Sequence, residues 1–216
     1  MVYACQWRNT KDIDLYIPER ERDRMIRLVQ ELGLDDYYDV LPYDRKWIYR
    51  SHKGDTIVDL IWAMANQHSS VDESWFRGPT VEVDGETFQL LAPEEALWSK
   101  LFVLQRDRCD WPDALNLLWG VGPEMDWRHL LHRVNGDAAL LSGLLAVFSW
   151  VYPEGASALP PWLWDELGLM PPKPENARNL ADVRARLLDS RPWFTPTLNE
   201  SANESERESS KEPKGC

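Results

Sequence analysis

The sequence predicts an α+β protein, with a small mixed sheet and helices in its N-terminal half and helices alone in its C-terminal half. Three observations carry this expectation. Ile13, Leu15 and Ile17 alternate with Asp12, Asp14 and Tyr16, the period-two pattern of a strand with one buried face. Two hairpin-type turns follow, His52-Lys53-Gly54-Asp55 and Asp84-Gly85, each between runs rich in β-branched and apolar residues. From Pro93 onward the apolar positions fall at helical spacing instead.

Taken in order, the first strand leads to Pro18, which can open a helix at its first turn. Met25, Ile26, Leu28, Val29 and Leu32 give that helix an apolar stripe, and Gly33 stops it. The charges of Glu19 to Arg24 suit a solvated face with pairing at i,i+3 and i,i+4. Arg45 to Ser51 and Thr56 to Met64 read as strands, and Asn66 to Pro79 as a loop. The hairpin Thr80-Val83 and Thr87-Leu90 surrounds Asp84-Gly85, a strong turn signal. Pro93-Glu94-Glu95 opens a helix whose apolar positions Ala96, Leu97, Leu101 and Leu104 keep helical spacing. Pro112 starts another through Trp119, ended by Gly120-Val121-Gly122-Pro123. Asp126 caps a helix through Val134, and Asp137 to Trp150 forms a more apolar helix central to this half. A short helix near Trp164 to Leu167 and a last one over Ala177 to Leu188 complete the set. The expected division is a core over residues 1–92, a helical region packed on it over 93–190, and a disordered acidic tail over 191–216.

Composition narrows the function classes. Net charge is −12, and the part of the chain before Asn199 carries −10, which argues against a general grip on nucleic-acid backbone. A small phosphate-bearing substrate arriving with its own cation stays open. The three cysteines, Cys5, Cys109 and Cys216, are widely spaced and suggest neither a disulfide framework nor a zinc site. They fit a reducing cytoplasm. No basic-then-apolar leader opens the chain, and Ala138 to Tyr152 falls short of the roughly 20 residues of a membrane span. A soluble protein is expected.

The chemistry centres on acids. Asp12 and Asp14 leave the same side of their strand, with Cα atoms roughly 6–7 Å apart, close enough to converge on one or two hard cations. The bland alternative is an edge strand whose polar face meets water. Asp59 stands inside the apolar run Ile57-Val58-Asp59-Leu60-Ile61, where a lone acid is costly unless paired or bound to metal.

The motif around these acids resembles the Arg-x-Thr-x-Asp-Ile-Asp-Leu signature of minimal nucleotidyltransferases of the DNA polymerase beta superfamily, through Arg8, Thr10, Asp12, Ile13, Asp14 and Leu15. Val58-Asp59-Leu60-Ile61, the hairpin ending in Leu91-Ala92-Pro93-Glu94-Glu95, and Lys100 followed by Arg106-Asp107-x-x-Asp110 continue the resemblance. It covers about residues 7–120, in the order that bacterial members show. The resemblance implies a nucleotidyltransferase core that takes a nucleoside triphosphate with magnesium or manganese. Asp12, Asp14 and Asp59 would ligate the metal, with Asp59 also helping to deprotonate the acceptor. Arg8, Thr10 and Lys100 would face the nucleotide, although an ion pair for Arg8 and a surface position for Lys100 are the plain alternatives. Competent members carry a Gly-Gly or Gly-Ser turn on a helix just before the Asp-x-Asp strand. Here no Gly precedes Gly33, and Val2-Tyr3-Ala4 suits the last turn of that helix, so the sequence is expected to begin inside it.

Remaining candidates point to structure. Asp107, Asp110 and Asp113, with Arg106 and Arg108, suit a brace of Arg–Asp pairs. His129 and His132 lack the further ligands of a zinc site. No Gly-x-Ser-x-Gly, phosphate-binding Gly-rich loop or dinucleotide fingerprint occurs. The expectation is a metal-dependent transfer of a nucleoside monophosphate to a hydroxyl of a protein, small molecule or RNA end. Relatives implied by the resemblance include toxins of toxin–antitoxin pairs, whose partner is an antitoxin, and antibiotic-modifying enzymes. The alternatives are a non-catalytic protein of this fold that binds a protein partner, and a metal-binding structural module.

Overall fold

The computed structural model describes residues 3, 12–106, 108–173 and 180–188; Arg8, Thr10, Asp107 and the expected acidic tail lie outside them. Two compact units divide the chain, one over residues 10–102 and the other formed by the rest, so the helix after Pro93 groups with the sheet.

In the first unit, strands β1 (Asp12–Tyr16), β2 (Asp35–Asp36), β3 (Ile48–Lys53) and β4 (Thr56–Ile61) form a sheet of order β1-β4-β3-β2. β1 runs parallel to β4, whereas β3 is antiparallel to both β4 and β2, so the sheet is mixed. Helix α1 (Arg22–Glu31) makes the crossover from β1 and follows a 3₁₀ turn at Glu19–Glu21. It ends on Gly33 at φ 78°. Gly33 N–H donates to the Gln30 carbonyl at 2.9 Å and Leu34 N–H to the Val29 carbonyl at 3.0 Å. That is a Schellman stop, which only a residue at ease with positive φ can make cheaply.

Period-two alternation decides what each sheet face meets. Leu15, Leu60 and Tyr49 form one cross-strand row, and this row packs with Val29, Met25 and Ile26 of α1 in the same apolar cluster as Ile17 and Trp62. The stripe expected on α1 is only partly buried. Val29 is 5% exposed, but Leu28 and Leu32 remain 44% and 61% exposed. Helical spacing puts Leu28 to the side of the face that Met25, Ile26 and Val29 turn to the cluster, and Leu32 is the C-cap residue at the helix end. Ile13 is likewise 52% exposed, because β1 is the edge strand and the cluster covers only its far end.

The other sheet face meets aromatics. Tyr16 stacks on Trp75 at 5.3 Å between ring centroids, and Trp75 lies 6.1 Å from Trp98 of α2 (Pro93–Leu101). Trp75 belongs to a 3₁₀ turn, Glu73–Phe76, within the segment expected to be loop. The hairpin β5 (Thr80–Val83) and β6 (Glu86–Gln89) turns on Asp84 and Gly85 at φ 53° and 83°, the type I′ geometry that Asp-Gly favours.

The second unit is helical: α3 (Trp111–Val121), α4 (Trp127–Val134), α5 (Ala138–Val151), α6 (Pro153–Ser157), α7 (Pro161–Glu166) and α8 (Leu180–Leu188). α5 packs with α3, α4, α6 and α8 and buries Leu141, Leu144, Leu145, Phe148 and Val151, as expected of a central helix. The Asp126 carboxylate caps α4 by accepting from His129 N–H at 3.0 Å. By length and composition Trp127–Val151 passes for a membrane span, with mean hydropathy 1.4. Asn135, at φ 37°, breaks this stretch into α4 and α5, and the apolar side of α5 is taken up within its own unit.

Candidate active site

Asp14, Asp59 and Arg50 form one row across three neighbouring strands. Asp14 on β1 is in register with Asp59 on β4, and Asp59 is in register with Arg50 on β3. The row alternates with Leu15, Leu60 and Tyr49, so it occupies the sheet face away from α1. Asp12, two residues before Asp14, shares that face. The three predicted acids therefore come from two adjacent strands and one side of the sheet.

Like charges opposite each other destabilise a sheet, and Arg50 offsets this. Its Nε donates to Asp59 Oδ1 at 2.8 Å and its Nη2 to Oδ2 at 2.5 Å, a two-pronged pair. The same Nη2 lies 3.7 Å from Asp12 Oδ2. The Asp59 side chain is 3% exposed and that of Arg50 30%, so the acid depends on the guanidinium more than the reverse. The hydrogen bond to Asp59 is the main cause that raises the Arg50 pKa, and the charges of Asp59, Asp12 and Asp14 add to it.

Tyr43 fixes the backbone at Arg50. Its hydroxyl accepts from Arg50 N–H at 3.0 Å. Its proton is directed at Asp36 Oδ1 at 3.0 Å, with the Arg50 carbonyl at 3.3 Å. Burial pushes the Tyr43 hydroxyl up to about 12, so it keeps its proton at neutral pH. Asp36 is also held by Arg45 Nη2 at 2.6 Å.

Asp14 is the perturbed acid. The residue is exposed as a whole, yet protein atoms crowd its carboxyl enough that desolvation is the leading cause raising its pKa. Asp59 and Asp12 raise it further, while Lys100 and Arg50 act in the other direction. Lys100, in the last turn of α2, thus acts on the acid row electrostatically. Arg8 and Thr10, the other candidate nucleotide contacts, lie outside the described residues.

In the helical unit, Arg108 pairs with Asp110 through contacts of 3.1 and 3.0 Å. Among the described residues no three His, Cys, Asp or Glu side chains are grouped so as to hold a metal ion. Asp12 and Asp14 are hard oxygen donors suited to a divalent cation. The oxygens of Asp59 are already engaged by Arg50.

Arg50 is not among the residues the sequence singles out, because a turn over His52-Lys53-Gly54-Asp55 places Ile48 opposite Asp59. The strands instead run on to the pair Lys53 and Thr56, leaving only Gly54-Asp55 between them. That two-residue turn brings Arg50 opposite Asp59. The dipeptide Gly54-Asp55 is the sequence signal for such a turn, and Gly54 takes the positive φ, 59°, that it requires.

A family described as "Uncharacterised nucleotidyltransferase" matches residues 3–136, more than half of the chain. The protein belongs to this nucleotidyltransferase family. Nucleotidyl transfer is the chemistry that membership supports, and a nucleoside triphosphate is the substrate it implies. Comparison with curated proteins finds no match. Among solved structures, the antibiotic-resistance factor ANT(2'')-Ia aligns at 19% identity over 68% of this chain and 74% of that one, with a TM-score of 0.32. The family assignment stands on the match over residues 3–136, which takes in the whole acid row.

Proposed function

We propose that this member of the nucleotidyltransferase family is a divalent-metal-dependent enzyme that transfers a nucleoside monophosphate from a nucleoside triphosphate to a hydroxyl group of an acceptor. The observation that carries the reading is the register of Asp14 with Asp59, with Asp12 on the same sheet face. Magnesium or manganese held by Asp12 and Asp14 would supply positive charge for the triphosphate and lower the pKa of the acceptor hydroxyl. In the transfer, the acceptor oxygen bonds to the α-phosphorus, pyrophosphate leaves, and the hydroxyl proton passes to a carboxylate of the acid row. Asp59 contributes to that row while anchored by Arg50. Lys100 and Arg50 add the positive charge that a polyphosphate needs on an otherwise acidic face. Desolvation first, and then the neighbouring Asp59 and Asp12, raise the pKa of Asp14, a perturbation of the kind found at functional carboxylates.

A second reading, a non-catalytic member that binds a protein partner, draws on the same Arg50–Asp59 pair, since that pair takes up one of the three acids. Calorimetric titration with magnesium, with and without ATP, together with pyrophosphate release in the presence of a cell extract, separates the two. Magnesium-dependent ATP binding and pyrophosphate release that both disappear in Asp12→Asn and Asp14→Asn favour the enzyme. No heat and no pyrophosphate from a folded protein favours the binding protein.

A further inference from the structure

We propose that Arg50 stands in for one of the two cations that a three-carboxylate site would gather, so that the protein binds a single divalent ion, at Asp12 and Asp14. This rests on the metal-dependent reading above and adds a stoichiometry to it. Three features of the pair support it. Arg50 engages both oxygens of Asp59, at 2.8 and 2.5 Å. The Asp59 side chain is only 3% exposed, which leaves no opening for the waters that a magnesium ion keeps. Arg50 Nη2 sits between two acids, 2.5 Å from Asp59 Oδ2 and 3.7 Å from Asp12 Oδ2, as a shared cation would.

Its placement is also built in. Arg50 is set opposite Asp59 by the β3–β4 register, its backbone N–H is held by Tyr43 at 3.0 Å, and its guanidinium lies 5.9 Å from the Tyr37 ring centroid. A guanidinium keeps its charge at any physiological pH and matches a carboxylate through two parallel bonds, so it holds Asp59 permanently where a metal would come and go. Arg50 takes up the charge of Asp59 directly, and Lys100 acts on Asp14 from a greater distance, so the carboxylates left for a divalent ion are Asp12 and Asp14.

Manganese titration of the full-length protein, read by the electron paramagnetic resonance of free ion and by calorimetry, tests the assignment. Wild type is expected to bind one Mn2+. Arg50→Met, which frees Asp59, is expected to bind a second Mn2+ or to hold the first about tenfold more tightly. Asp59→Asn is expected to leave the dissociation constant of the single ion within about threefold, because Asp59 is not a ligand. Two Mn2+ in wild type, or an Arg50→Met protein with wild-type stoichiometry and affinity, overturns the proposal while leaving metal dependence intact. Should Arg50→Met fail to fold, Asp59→Asn decides: a loss of more than about tenfold makes Asp59 a ligand and overturns the proposal. If neither wild type nor Arg50→Met binds Mn2+, the metal-dependent reading itself fails, and this inference with it.

Discussion

Removing one partner of the Arg50–Asp59 pair is expected to cost unequal amounts depending on which is removed. In Arg50→Met the Asp59 carboxylate stays behind, 3% exposed and opposite Asp14, with its two charge-assisted hydrogen bonds gone. Stripping the partner from a buried charge typically costs 3–5 kcal/mol. Only the acid is fully buried here, so the lower end applies, about 3 kcal/mol. In Asp59→Asn the amide oxygen can still accept from Arg50. The guanidinium, 30% exposed and 3.7 Å from Asp12, reaches water and a second acid, and the repulsion between Asp14 and Asp59 is relieved. A loss of about 1 kcal/mol is expected, that of one ordinary hydrogen bond. Urea unfolding at pH 7 without divalent ions, followed by tryptophan fluorescence, measures both. Equal losses in the two variants, or a loss below about 1 kcal/mol in Arg50→Met, would refute the idea that the buried Asp59 side chain needs Arg50 as its partner.

Further expectations concern the surroundings of the row. Asp14 has a raised pKa, so the folded protein holds that proton more tightly than the unfolded chain. Its contribution is fully present below the ordinary value of 3.8, is lost as pH rises through the raised value, and leaves a penalty at neutral pH. Asp14→Asn should therefore melt above wild type at pH 7 without divalent ions, and the gap should close as the pH is lowered toward 3.8. Tyr43→Phe removes the hydroxyl that joins Arg50 N–H to Asp36. It should cost about 1–2 kcal/mol in the same urea experiment. Gly85→Ala meets no atom within 4 Å but must hold φ near 83°. It should cost about 1 kcal/mol, seen as faster amide exchange confined to β5 and β6.

Much of the sheet unit could be read from residue pattern. Alternation over Asp12 to Ile17, the apolar run around Asp59, and Asp-Gly at 84–85 each became the strand or turn they implied. Local physics suffices for such elements, because side-chain period and turn dihedrals are properties of neighbouring residues. The adjacency of β1 and β4 followed from a recognised motif. No local signal in either strand specifies a parallel partner. Arg50 stayed hidden for a sharper reason: shortening a turn from four residues to two shifts every cross-strand neighbour, so the partner of Asp59 changes from Ile48 to Arg50. Ile13, Leu28 and Leu32 show the other limit. Periodicity names an apolar face, but how much of it is covered is a tertiary fact.

The central claim is nucleotidyl transfer that depends on the acid row. Its most direct test is incubation of the protein with α-labelled nucleoside triphosphates, manganese and a cell extract, followed by removal of free nucleotide. Label should remain on an acceptor with wild type and disappear with Asp14→Asn, whose fold is confirmed by its melting curve. Label that persists unchanged in Asp14→Asn, or no label with any of the nucleotides from a wild-type protein that binds Mn2+, would contradict the claim.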